Sequence, residues 1–95
     1  MLHTLQLYNT ELLILRKGLA ALKSHQPVPE SLQSAINVKG GKKFLFSTED
    51  MKLFYSGLSV LDYLGQNSSP AEYDNEKFWI LQDRVRKELT LGATL

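Results

Sequence analysis

The chain has 95 residues, eleven Lys plus Arg against ten Asp plus Glu, a formal net charge of +1, no cysteine, and 43% hydrophobic content. That length excludes a second domain and leaves room for one thin core. Near-neutral charge excludes a global field steering the chain to nucleic acid or an anionic membrane, and the lack of cysteine excludes disulfides, thiolate metal sites and thiol redox chemistry.

The first fifteen residues are apolar, but Asn9, Thr10 and Glu11 interrupt them and no basic region precedes them, which disfavours a cleaved signal peptide. The longest apolar run, Leu12 to Leu15, falls far short of the ~20 residues a bilayer crossing needs. The expectation is a soluble, cytoplasmic domain with no membrane partner.

Leu5, Tyr8, Leu12, Leu15, Leu19 and Leu22 recur at alternating spacings of three and four, which predicts a first helix from about Leu2 to Lys23. Two more apolar columns, Leu7/Ile14/Ala21 and Leu2/Leu13/Ala20, run beside that seam, so only a strip around Gln6, Thr10 and Lys17 is polar. Such a helix needs cover on nearly every side. Two amphipathic neighbours cover two of the three columns, so Leu7, Leu13 and Ile14 are the expected self-association or partner-binding residues.

Pro27 and Pro29 end the first helix and make Ser24 to Pro29 a linker. A short helix follows over Glu30 to Asn37, with Leu32, Ala35 and Ile36 inward and Gly40-Gly41 after it. The same glycines also suit a hairpin turn, pairing Ile36 to Lys39 with Lys42 to Phe46, and that alternative stands beside the helix end. Phe44 to Phe46 is extended in either case.

The third helix has a strong local start. Ser47 is placed to cap, Asp50 falls at N3 where it reaches back, and Phe46 and Met51 are spaced as a hydrophobic staple. Met51, Phe54, Leu58 and Leu61 form one inner column, with Leu53, Gly57, Val60 and Leu64 beside it; Lys52, Ser56, Ser59 and Tyr63 face outward and Gly65 is the expected stop. The fourth helix opens with Ser69 as cap, Pro70 at N1 and Glu72 at N3, buries Phe78, Leu81, Val85 and Leu89, and carries an Asp83–Lys87 pair outside. Gly92 to Leu95 are expected to fray. The fold class that results is all-α: a small antiparallel bundle of three long helices plus one short one, forming a single domain over 1–95.

At an offset of 39 residues, Leu12, Ile14, Leu15, Gly18, Leu19, Ala21 and Leu22 fall on Met51, Leu53, Phe54, Gly57, Leu58, Val60 and Leu61. Glycine inside a helix costs about 1 kcal/mol relative to alanine, so its recurrence at one place in both copies points to a close crossing of the helices at Gly18 and Gly57. The competing explanation is that any two amphipathic helices align when slid to their best register.

No motif with chemical content accompanies this pattern. His3 and His25 have no ligand-spaced partners and read as ordinary solvated histidines, so neither a metal nor a cofactor is expected. The acids Glu49/Asp50 and Glu72/Asp74/Glu76 sit in first turns, where the helix dipole favours them. No nucleophile, base and oxyanion site can be assembled, and no enzyme is expected. Lys39, Gly40, Gly41, Lys42 and Lys43 could gather around an anion, but the segment lacks the spacing and hydroxyl of a phosphate loop. A second basic group, Arg84, Arg86 and Lys87, is diluted by Asp83 and Glu88 and has Tyr73 and Trp79 as aromatic neighbours. Trp79 stands off the inner seam on the side of Gln82, Asp83 and Arg86, which makes Trp79 and Arg86 candidate recognition residues.

The functional expectation is therefore a small non-enzymatic interaction or regulatory module, an adaptor or inhibitor that acts through helical surfaces and forms a homodimer or holds another protein. The alternative is a nucleic-acid-binding regulator using Lys39, Lys42, Lys43 and the Arg84 to Lys87 segment.

Overall fold

The computed structural model describes residues 2–67 and 75–94. Its elements in chain order are β1 (Leu2–Leu7), α1 (Asn9–Lys23), α2 (Glu30–Ala35), β2 (Lys42–Ser47), α3 (Thr48–Asn67) and α4 (Asn75–Thr94). Three long helices and one short one form a mostly helical bundle, to which a two-stranded antiparallel ribbon is added.

The ribbon corrects the expected start of the first helix. Residues 2–7 are a strand, and α1 begins only at Asn9. Leu5 and Leu7 satisfy a helical and an alternating pattern equally, and what decides is β2, which pairs with β1 from Leu2↔Ser47 through Leu7↔Lys42. His3, Leu5 and Leu7 turn inward with Phe44 and Phe46, while Leu2, Thr4, Lys43 and Leu45 turn out.

The extended segment foreseen at Phe44 to Phe46 is thus real, but its partner is β1 rather than Ile36 to Lys39. Gly40 does adopt positive φ, at 90°, yet its N–H donates to Asn9 Oδ1 at 2.7 Å instead of closing a tight hairpin. Gly41 has no room for a side chain, because an added Cβ would lie 2.6 Å from the Tyr8 ring.

The core is built by Leu12, Ile14, Leu15, Leu19 and Leu22 of α1, Met51, Phe54 and Leu58 of α3, and Phe78, Leu81 and Val85 of α4. Leu32 and Ile36 close one end and the inward strand residues the other. Phe46 meets Phe54 edge-on, with ring centroids 4.7 Å apart, and so couples the ribbon to α3.

Helices α1 and α3 do cross at the paired glycines. A Cβ on Gly57 would stand 2.8 Å from the Gly18 carbonyl oxygen, and one on Gly18 would stand 3.2 Å from the Gly57 carbonyl carbon. Only the missing side chains allow backbone to meet backbone there.

The boundary at Ser47 is built as the sequence predicts: the Asp50 N–H donates to Ser47 Oγ at 3.1 Å and the Ser47 N–H donates to Asp50 Oδ2 at 3.3 Å. Helix α2 stops at Ala35, two residues before the expected end, and α3 runs past Gly65 to Asn67. Helix α4 continues to Thr94, into the segment expected to fray. The cap signals Ser69, Pro70 and Glu72, with Asp74 and Tyr73, lie outside the described residues.

Candidate protein interaction surface

The first question for any binding role is whether α1 is covered within one chain. Leu7 and Ile14 have no exposed surface at all, and Leu13 is half-buried. The expectation that Leu7 and Ile14 need an external partner is therefore corrected, while Leu13 keeps part of its surface open. Leu7 is not on the helix but on the inward face of β1, and Ile14 lies in the core shared with residues of α3 and α4.

Among the described residues the large apolar side chains that stay exposed are Leu2, Tyr8, Leu45, Tyr63, Trp79 and Ile80. Trp79 and Ile80, adjacent on α4, are 50% and 54% exposed, and Tyr8 at the β1–α1 junction is 60% exposed. Tyr8 and Ile80 line one shallow cleft of about 270 Å³ together with Thr10, Glu11, Lys77 and Arg84. The Trp79 ring stands edge-on to buried Phe78 at 5.1 Å, so it is braced from beneath while half its surface faces solvent. This is the partial exposure that its position off the seam predicts.

The charges around this surface are fixed by two small networks. Asp83 accepts from Arg86 at 2.6 Å and pairs with Lys87 at 3.0 Å, the latter as its i,i+4 spacing predicts. Hydrogen bonds from Arg86 first, and from Lys87 next, hold the Asp83 carboxyl below its ordinary range, while Asp83 raises the Arg86 guanidinium above its own. Arg86 is exposed beside Trp79 on the same helix, so the two expected recognition residues do share one side of α4.

Arg84 has a different task. It donates to Glu11 and, at 2.6 Å, to the Gln6 carbonyl, while Glu11 also accepts the Tyr8 N–H at 3.0 Å. This knot marks the strand-to-helix turn and fastens α4 to it. Glu11 is 14% exposed in its side chain, so the pair is substantially removed from water. Of the residues named for the nucleic-acid alternative, Arg84 is paired with Glu11, whereas Lys39, Lys42 and Lys43 are exposed. Lys42 Nζ sits 5.0 Å over the Phe44 ring.

His3 is the residue the sequence most misled on. It is not solvated but 3% exposed, with Nε2 3.0 Å from Thr48 Oγ1 and Nδ1 3.3 Å from Glu88 Oε2. A carboxylate accepts, so Nδ1–H donates to Glu88, and Nε2 shares a hydrogen bond with the Thr48 hydroxyl, which can either donate or accept. The arrangement ties β1 to the start of α3 and to α4. These partners lie 45 and 85 positions away in the chain, where no local signal reaches. His25 is exposed, as expected.

Among the described residues no group of three or more metal-ligating side chains converges, and no helix is long and apolar enough to cross a membrane. Comparison with family models, curated proteins and solved structures returns no match.

Proposed function

We propose that this chain is a small non-enzymatic protein–protein interaction module, an adaptor or inhibitor, whose recognition surface is the outer side of α4 around Trp79, Ile80 and Arg86 with Tyr8 across the cleft. One observation carries the reading: two large apolar side chains adjacent on a helix, Trp79 and Ile80, stay half-exposed while Leu12, Ile14, Leu15, Leu19 and Leu22 of α1 are buried. A chain with this much capacity to bury leucine and phenylalanine leaves a tryptophan and an isoleucine in water where a partner can take them. Trp with Arg is the composition of interface hot spots, and the bracing of Trp79 by Phe78 lowers the entropy lost on docking.

The test is a photo-crosslinking residue placed at position 79 in cells, with position 52 on the exposed face of α3 as control. The expected result is an adduct of one defined mass from position 79 that Ile80→Glu abolishes, and none from position 52. Equal labelling at both positions, or none at either, overturns the proposal.

A further inference from the structure

The ribbon has an edge with a countable set of open backbone groups. In an antiparallel pair, alternate residues turn both N–H and C=O toward the neighbouring strand, and those between turn both away. Gln6 gives its carbonyl to Arg84 and Ser47 gives its amide to Asp50, so Gln6↔Lys43, Thr4↔Leu45 and Leu2↔Ser47 are the pairs whose backbone groups face outward. On β2 that leaves Lys43 and Leu45. Among the described residues no hydrogen bond reaches their outward amides or carbonyls beyond the pairing with β1. Leu45 is also 66% exposed, and Leu2, diagonal to it on the same outer face, is 65% exposed.

We propose that this edge pairs with the same edge of a second copy of the chain, antiparallel and centred on Phe44, to make a four-stranded sheet in the order β1-β2-β2-β1. The inference uses β2 and does not depend on the α4 face proposed above. Centring on Phe44 sets Lys43 of each copy opposite Leu45 of the other, so all four open groups on each copy are satisfied at once. Centring on Leu45 would set Lys43 against Ser47, whose amide is already given to Asp50.

Charge selects the same direction. The strand has a basic end, Lys39 to Lys43, and runs into an acidic one at Glu49 and Asp50. Antiparallel pairing brings the basic end of each copy toward the acidic end of the other, whereas parallel pairing stacks Lys42 and Lys43 on their own counterparts. Short length and lysines are the usual means of blunting an edge. Here they exclude the wrong orientations and leave this one open: Lys42 is drawn over the Phe44 ring, and the aliphatic stem of Lys43 lies beside Leu45 of the other copy.

Because the chain has no cysteine, the register can be read by disulfide formation. Directly opposite residues of a hydrogen-bonded pair lie about 5.5 Å apart at Cα, within the roughly 4.4–6.8 Å a disulfide spans. Equivalent positions at 45, or at 43, lie two residues apart along the strands and beyond its reach.

Lys43→Cys and Leu45→Cys variants are mixed in a thiol redox buffer, and the mass of the unmodified chain is followed by sedimentation across a dilution series. The expected results are a mass rising toward twice the monomer with concentration, and mixed 43–45 cross-links roughly tenfold more abundant than 43–43 or 45–45. Trp79→Ala leaves both unchanged. A monomer mass at every concentration, same-position cross-links as abundant as mixed ones, or loss of cross-linking with Trp79→Ala would overturn the proposal.

Discussion

Replacing Gly57 with alanine puts a methyl group where backbone already stands, and two terms of opposite sign decide the outcome. Alanine favours the helix by about 1 kcal/mol over glycine. Against this, the added Cβ would lie 2.8 Å from the Gly18 oxygen and 2.9 Å from the Gly18 carbonyl carbon, and a backbone carbonyl cannot rotate aside as a side chain can. Overpacking of this kind costs about 1–3 kcal/mol, and a backbone neighbour puts it at the upper end. The net expectation for Gly57→Ala is a loss of about 1–2 kcal/mol, a fall in Tm of roughly 5–15 °C for a domain of this size. At Gly18 the nearest atoms would be 3.2–3.4 Å away, so α3 need yield only slightly and the two terms nearly cancel. Urea unfolding followed by helix circular dichroism gives both values, with the slope checked for constancy. A Gly57→Ala variant as stable as the parent or more so would refute the close crossing.

Arg84→Ala should lose about 1–3 kcal/mol in the same urea assay, because it leaves the largely buried Glu11 carboxylate without its cation and the Gln6 carbonyl without its side-chain donor, while Arg86→Ala should leave the midpoint unchanged. Ser47→Ala should lose about 1 kcal/mol through the cap of α3, and a threonine there should restore most of it. Asp83 is held below its ordinary value of 3.8 by Arg86 and Lys87, so any stability it gives is fully present above that value and is lost as pH falls through its lower folded value. Carboxyl NMR of Asp83 should give a midpoint under 3.8 that Arg86→Ala raises.

Features written within a few residues of each other could be read from the sequence, and so could those that repeat with a helical period. The Ser47–Asp50 cap, the inner columns of α3 and α4, the Asp83–Lys87 pair and the exposure of Trp79 all follow from spacing alone. Gly18 and Gly57 were also legible, because a costly residue recurring in register names its own reason. The ribbon was not. Leu5 and Leu7 fit a strand or a helix, and the choice is made by Phe44 and Phe46, about forty residues on in the pairing register. The same long reach hid the binding of His3 by Thr48 and Glu88, and of Arg84 by Glu11 and Gln6. The ribbon also takes Leu7 out of the first helix and turns it inward, so this residue needs no outside cover. Tyr8 and Ile80 escaped notice for a related reason: they belong to different elements and form one cleft only once α4 is fastened against the β1–α1 turn.

Ile14 of α1 is sealed within a single chain, whereas Ile80 on the outer side of α4 is left open. Single cysteines at positions 14 and 80, introduced into this cysteine-free chain, report that directly through their rates of thiol labelling in dilute solution. Cysteine at position 80 should react as an exposed thiol and cysteine at position 14 on the order of a hundredfold more slowly, limited by local opening. Comparable rates at the two positions, in a chain that circular dichroism shows to be folded, would contradict the account.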